Sequence, residues 1–169
     1  MENSAFRIYH SPNVVNLSID AYDGEKQCGR LWNQYTGEPL CFSTLFEALE
    51  GMEALYDRLE YPFASTRPRS FLEDGGSGAE YERDIQDGKR SELRVVEPFQ
   101  SVISHRGRNA TFIIRVQYRQ HSSWQGEIVW VDGSLRKCFG SVLDLLRLID
   151  SAMERCTAEN RAAPDCNRW

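Results

Sequence analysis

From Thr111 to Arg119 apolar and polar side chains alternate, with Phe112, Ile114, Val116 and Tyr118 on one side and Ile113, Arg115, Gln117 and Arg119 on the other. A period of two is that of a strand with one buried face. Trp124 to Val131 continues the pattern, with Trp124, Gly126, Ile128 and Trp130 sharing a side; Asp132-Gly133 marks a hairpin, and Leu135 to Phe139 reads as a third strand. The period then changes. Val142, Leu145, Leu146, Ile149, Ala152, Met153 and Cys156 recur at the spacing of an amphipathic helix.

The same order of elements appears near the N-terminus. Asn16 to Tyr22 and Cys28 to Tyr35 read as strands separated by Asp23-Gly24, and a turn at Thr36-Gly37 leads into a short strand, Leu40 to Phe42. A helix follows, with Leu45, Ala48, Leu49, Met52, Leu55, Tyr56 and Leu59 on one side and Glu47, Glu50, Glu53 and Asp57 on the other. A shift of 97 positions lays one region on the other without a gap: Gly29 meets Gly126 (126 − 29 = 97), Cys41 meets Cys138, Phe42 meets Phe139 and Leu49 meets Leu146. Each helix opens on a capping-box pattern at the same place, Thr44 with Glu47 and Ser141 with Asp144. Gly51, inside the first helix, departs from the pattern and costs on the order of 1 kcal/mol relative to alanine.

Short turns imply antiparallel neighbours. The expected fold is therefore α+β: two tandem βββα units, an internal duplication at an offset of 97, forming an antiparallel sheet with both helices on one face. A lone three-stranded unit of this size has a small core, so a single continuous six-stranded sheet is preferred to two separate ones. The expected boundaries are 1–60 for the first unit, 61–95 for a polar insert containing Gly75-Gly76-Ser77-Gly78, 96–156 for the second unit and 157–169 for an irregular tail. Additional strands are expected at Phe6 to Tyr9 and at Leu93 to Glu97.

Charge refines this picture. Residues 1–60 carry 4 basic and 10 acidic side chains (−6), residues 61–95 carry 6 and 7 (−1), and residues 96–169 carry 10 and 8 (+2), which sum to the overall −5. Phosphate binding needs concentrated positive charge, so nucleic acid is not an expected partner. No apolar run approaches the ~20 residues that span a bilayer, and the first ten residues lack a basic start followed by an apolar stretch. No membrane association and a cytoplasmic location are expected. The five cysteines, Cys28, Cys41, Cys138, Cys156 and Cys166, form no CxxC pair and read as buried or half-buried thiols.

Catalytic signatures are not found: the three histidines, His10, His105 and His121, are far apart in sequence, and the chain has no phosphate-loop, HExxH, nucleophile-elbow or Rossmann pattern. No cofactor and no metal are expected. The basic turn around His105, Arg106 and Arg108 is a weak candidate for anion binding through guanidinium groups and exposed amides. The most informative feature is the sheet face turned away from the helices. There the second unit is expected to place Arg115, Gln117, Arg119 and Gln125, and the first unit Tyr22 and Trp32, beside Asp20, Arg30 and Glu127. Arginine, aromatic and glutamine side chains combine contact area with hydrogen bonding, as interaction surfaces do. The expected function is a non-enzymatic module that binds a protein partner or itself through that face. The alternative is a small-molecule protein or enzyme with a pocket at the junction of the two units, near His121 or His105.

Overall fold

Two hairpins of alternating hydrophobicity meet edge to edge in the computed structural model, which describes residues 10–24, 26–65 and 93–162, with side chains to Ala158. Six strands, β1 (Val14–Tyr22), β2 (Gln27–Trp32), β3 (Leu40–Phe42), β4 (Ala110–Tyr118), β5 (Gln125–Trp130) and β6 (Leu135–Phe139), form one open antiparallel sheet in the order β3-β2-β1-β4-β5-β6. Helices α1 (Leu45–Leu59) and α3 (Val142–Ala162) pack on one face, and a short helix, α2 (Phe99–Ser104), packs against β1. The continuous sheet with both long helices on one side agrees with the sequence pattern.

The ladders repeat at the same offset as the sequence. Leu17 faces Leu31 in β1–β2, as Ile114 faces Ile128 in β4–β5. Gly29 faces Phe42 in β2–β3, as Gly126 faces Phe139 in β5–β6. A bulge lies between Ile19 and Ala21 in β1, and another between Val116 and Tyr118 in β4. At the centre Asn16 faces Ile113, itself 97 positions away (113 − 16 = 97), so half a turn about this point carries one ladder onto the other. A Cβ at Gly29 would collide with the Ser18 carbonyl oxygen and one at Gly126 with the Arg115 carbonyl oxygen. Only glycine lets these bulged backbones approach so closely.

The main core lies between the sheet and the long helices. Ala48, Met52, Leu55 and Tyr56 of α1 and Leu145, Ile149, Ala152 and Met153 of α3, again pairs 97 apart, close on Leu17, Ile19, Phe112, Ile114, Trp124 and Trp130. Both capping boxes form: Thr44 Oγ1 accepts from the Glu47 amide and Ser141 Oγ from the Asp144 amide, while the two acids accept from the Ser43 and Gly140 amides. A Cβ at Gly51 would meet the end of the Leu40 side chain of β3, which is exposed and can turn aside.

Three expectations are corrected. Residues from Thr157 onward do not start irregularly: α3 continues to Ala162, with Thr157 Oγ1 donating to the Met153 carbonyl at 2.9 Å, and no helix breaker occurs before Pro164. Leu93 to Glu97 form no strand; instead the Val96 and Glu97 amides both donate to the Gln34 carbonyl as the chain crosses towards α2. Cys41 and Cys138 are exposed instead of buried, because they lie on the two edge strands. The expected strand at Phe6 to Tyr9 and most of the 61–95 insert lie outside the described residues.

Candidate interaction face

Alternation along β1, β2, β4 and β5 sends every second side chain to the face opposite α1 and α3. The middle of that face is covered from within the chain. Phe99 of α2 packs on Val14, Ile113 and Val129, with Ile103 and Val131 at the margin of this second, smaller core. Asn16, fully buried, donates from Nδ2 to the carbonyls of Val102 and His105, both at 2.9 Å, which ties the C-terminal end of α2 to β1. Beyond it the His105 ring stacks on Trp32, with centroids 3.5 Å apart and planes 8° from parallel. His105 Nε2 donates to Glu97 Oε1 at 2.6 Å, and Ser101 Oγ donates to the same oxygen. Trp32 therefore lies on the expected face but under His105.

At the β1–β2 end, Asp20 grips Arg30 through two bonds of 2.7 and 2.9 Å and accepts from the Arg108 amide at 3.2 Å. The Arg30 hydrogen bond, assisted by the Arg108 amide, holds the Asp20 carboxyl below its usual range against the opposing effect of burial. Arg30 also donates to the Arg106 carbonyl and lies 5.7 Å from the Trp32 ring centre. The candidate anion turn is closed on itself. The Gly107 amide donates to Thr111 Oγ1, the Arg108 amide to Asp20 and the Asn109 amide to the Ile19 carbonyl, while Arg106 Nη1 donates to the Ile103 and His105 carbonyls. Any anion there would rely on the Arg106 and Arg108 guanidinium groups, not on the amides of residues 107–109.

The β4–β6 end is built around Glu127. Its carboxylate accepts from Arg115 Nη2 at 2.8 Å, Gln117 Nε2 at 3.0 Å and Arg136 Nη2 at 3.2 Å, joining three adjacent strands. Next to it Tyr118 is 57% exposed. A parallel bridge joins Ala64 to Arg119, supported by the Ser65 amide donating to the Arg119 carbonyl, and the residue before it, Phe63, is 81% exposed. Gln125 is tied to the adjoining turn, exchanging bonds of 3.2 and 3.0 Å with the backbone of Gln120.

Arg119 and Tyr22 do not lie on this face. Each follows a bulge, and the extra residue reverses the alternation. Arg119 is 4% exposed and turned under α1, where it donates to Asp57 at 2.6 Å and to the Pro62 carbonyl at 2.7 Å and pairs with Glu53 at 3.1 Å. Tyr22 packs against the main core; burial, with the charges of Asp150 and Glu154, pushes its hydroxyl pKa up. The structure thus gathers Arg115, Gln117 and Gln125 at one end of the face, leaves Trp32 beneath α2's exit and removes Tyr22 and Arg119 to the other side. Tyr118, Phe63 and Arg136 were missed. The bulge that exposes Tyr118 leaves its mark only in the glycine opposite it, Gly126.

Of the histidines, His10 rests on Phe99 with ring centres 4.7 Å apart, and His121 occupies the exposed β4–β5 turn. Among the described residues no group of three or more His, Cys, Asp or Glu side chains is placed to hold a metal, and no helix is long and apolar enough to cross a membrane. Comparisons of the chain with protein-family models, with curated proteins and with solved structures each return no match.

Proposed function

We propose that this protein is a non-enzymatic binding module for a protein partner, acting through the β4–β6 part of the sheet face. The observation that carries the reading is Tyr118, exposed directly after Gln117 of the Arg115–Gln117–Glu127–Arg136 network and paired across the strands with Gln125. Interface centres favour such a composition: an aromatic anchor with large contact area, next to polar groups already held in place and so costing little entropy to order. The reading includes an internal duplication, supported by ladder pairs, bulges and capping boxes that recur 97 residues apart. On this view α2 closes the middle of the face, across both units, and the β4–β6 end beyond it serves the partner.

The test is affinity capture from the source cells with wild type and with Tyr118→Ala/Gln117→Ala, followed by titration of the captured protein in purified form. Tyr118 is exposed and Gln117 only partly buried, so the double variant should keep its melting temperature. The reading expects a stoichiometric partner retained by wild type and weakened roughly tenfold or more by the variant. Equal affinity for both proteins would refute the assignment of this face.

A further inference from the structure

α2 is fastened to the sheet by a core of its own. Phe99 closes on Val14, Ile113 and Val129, apart from the main core on the other side of the sheet. The helix has six residues, far shorter than a helix that holds by itself, and its N-cap, Pro98, makes no side-chain cap bond. The entry to it is lightly held. Val95 and Val96 are 61% and 62% exposed, and the Val96 and Glu97 amides share one acceptor, the Gln34 carbonyl.

Much of the bed beneath this segment is polar. Asn16, Ser18 and Thr111 are fully buried there. Ser18 Oγ donates to Asn16 Oδ1, Asn16 donates to the Val102 and His105 carbonyls, and Thr111 Oγ1 accepts from the Gly107 amide. Water can replace each of these partners, so uncovering the bed costs less than uncovering the same area of the main core. Where His105 stacks on Trp32 and bonds Glu97, Trp32 Nε1 and Glu97 Oε2 are buried and find no hydrogen-bond partner among the described residues. Opening gives both atoms to solvent, which lowers its cost further.

We propose that residues 96–109 form a strap that lifts from the sheet as one cooperative unit while the six strands and both long helices stay folded. In the closed form the strap itself occupies the middle of the face. Lifting it uncovers Ile113 and Val129, which pair across β4 and β5 two residues along from Arg115 and Glu127, on the same face. The open form therefore extends the β4–β6 end of the face towards its middle. This inference goes beyond the binding reading and does not depend on it.

Amide hydrogen exchange of the intact protein, followed residue by residue in urea below the unfolding midpoint, tests it. The Val96, Val102 and Asn109 amides donate to three different acceptors, the Gln34, Pro98 and Ile19 carbonyls. A strap that lifts as a unit makes all three exchange with one urea slope. That slope should be clearly above zero and smaller than the slope of the β1–β4 ladder amides, which open only on global unfolding. Phe99→Leu keeps an apolar side chain and the fold. It should speed exchange of all three amides by one common factor, roughly three- to tenfold, Asn109 included although it lies ten residues away. Slopes near zero with unrelated responses to Phe99→Leu would mean that each amide frays alone. A slope equal to that of the ladder would mean that the segment leaves only with the whole fold. Either result overturns the strap.

Discussion

Arg119 at the end of β4 and Tyr22 at the end of β1 are counterparts, 97 positions apart, and each is turned under the long helix of the other unit. Arg119 reaches Glu53 and Asp57 of α1, and Tyr22 lies in the field of Asp150 and Glu154 of α3, the residues equivalent to that acid pair (150 − 53 = 97 and 154 − 57 = 97). Each sheet half therefore completes the helix packing of its counterpart. This arrangement also accounts for the difference between the two sites. A guanidinium fork at Arg119 satisfies two carboxylates and the Pro62 carbonyl at once, whereas a phenol at Tyr22 brings packing area and a single polar atom.

Arg119→Ala should cost about 2–4 kcal/mol in urea unfolding, since it leaves two partly buried carboxylates and a carbonyl without their donor. The range is set below that of a fully buried pair because Glu53 and Asp57 keep a third or so of their side chains in solvent. Arg119→Lys should fall between wild type and alanine, because an ammonium cannot reproduce the fork. An unchanged midpoint for the alanine variant would mean that water replaces Arg119 without loss.

Gly29→Ala and Gly126→Ala should each destabilise by roughly 1–3 kcal/mol, and by similar amounts, because a Cβ at either site meets a rigid backbone oxygen across the bulge. Gly37→Ala is the control. There a Cβ would meet Val96 at an ordinary 3.7 Å, and the midpoint should move by less than about 0.5 kcal/mol.

The Asp20 carboxyl has its pKa lowered in the folded protein by the Arg30 hydrogen bond. A carboxyl lowered on folding contributes stability that is complete above its unfolded value of about 3.9 and is lost as pH falls through the folded value. Asp20→Asn should therefore be less stable than wild type at neutral pH, and the gap should narrow below about pH 4. Urea midpoints of both proteins between neutral and strongly acid pH measure it; a gap that stays constant with pH would assign the loss to geometry instead of charge.

His121 and Ser122 occupy the β4–β5 turn with φ of 54° and 58°, a left-handed region that side chains with a Cβ enter at a cost. His121→Gly should stabilise by roughly 0.5–1 kcal/mol, as glycine removes the steric cost and returns part of it in unfolded-chain entropy. Thermal unfolding should show a rise of about 1–4 °C. A fall would show that the imidazole makes a contact worth more than the strain.

Strand and helix periods, hairpin turns and both capping boxes could be read from residues close in sequence, because each depends on a local repeat or on a side chain reaching a neighbouring amide. The β2 strand ends at Trp32, short of the expected Tyr35, where Asn33 Oδ1 accepts the Tyr35 amide in a local turn that competes with the ladder. The candidate face was legible as a composition, and Arg115, Gln117 and Gln125 do gather at one end of it. Tyr118 was placed on the wrong side, because a single bulge residue reverses every side chain after it.

Local pattern determined that this chain builds two strand–strand–strand–helix regions in the same register, since hydrophobic period and turn chemistry act over a few residues. Tertiary structure alone decided what covers the sheet face. α2 is six residues long, too short for its period to stand out. It settles over β1 because buried Asn16, beneath it, needs acceptors for its amide and finds the Val102 and His105 carbonyls 86 and 89 residues away. Asparagine in a strand signals a polar partner but not which one. That choice depends on which distant segment can bring carbonyls to it and apolar side chains to Val14, Ile113 and Val129 in the same approach.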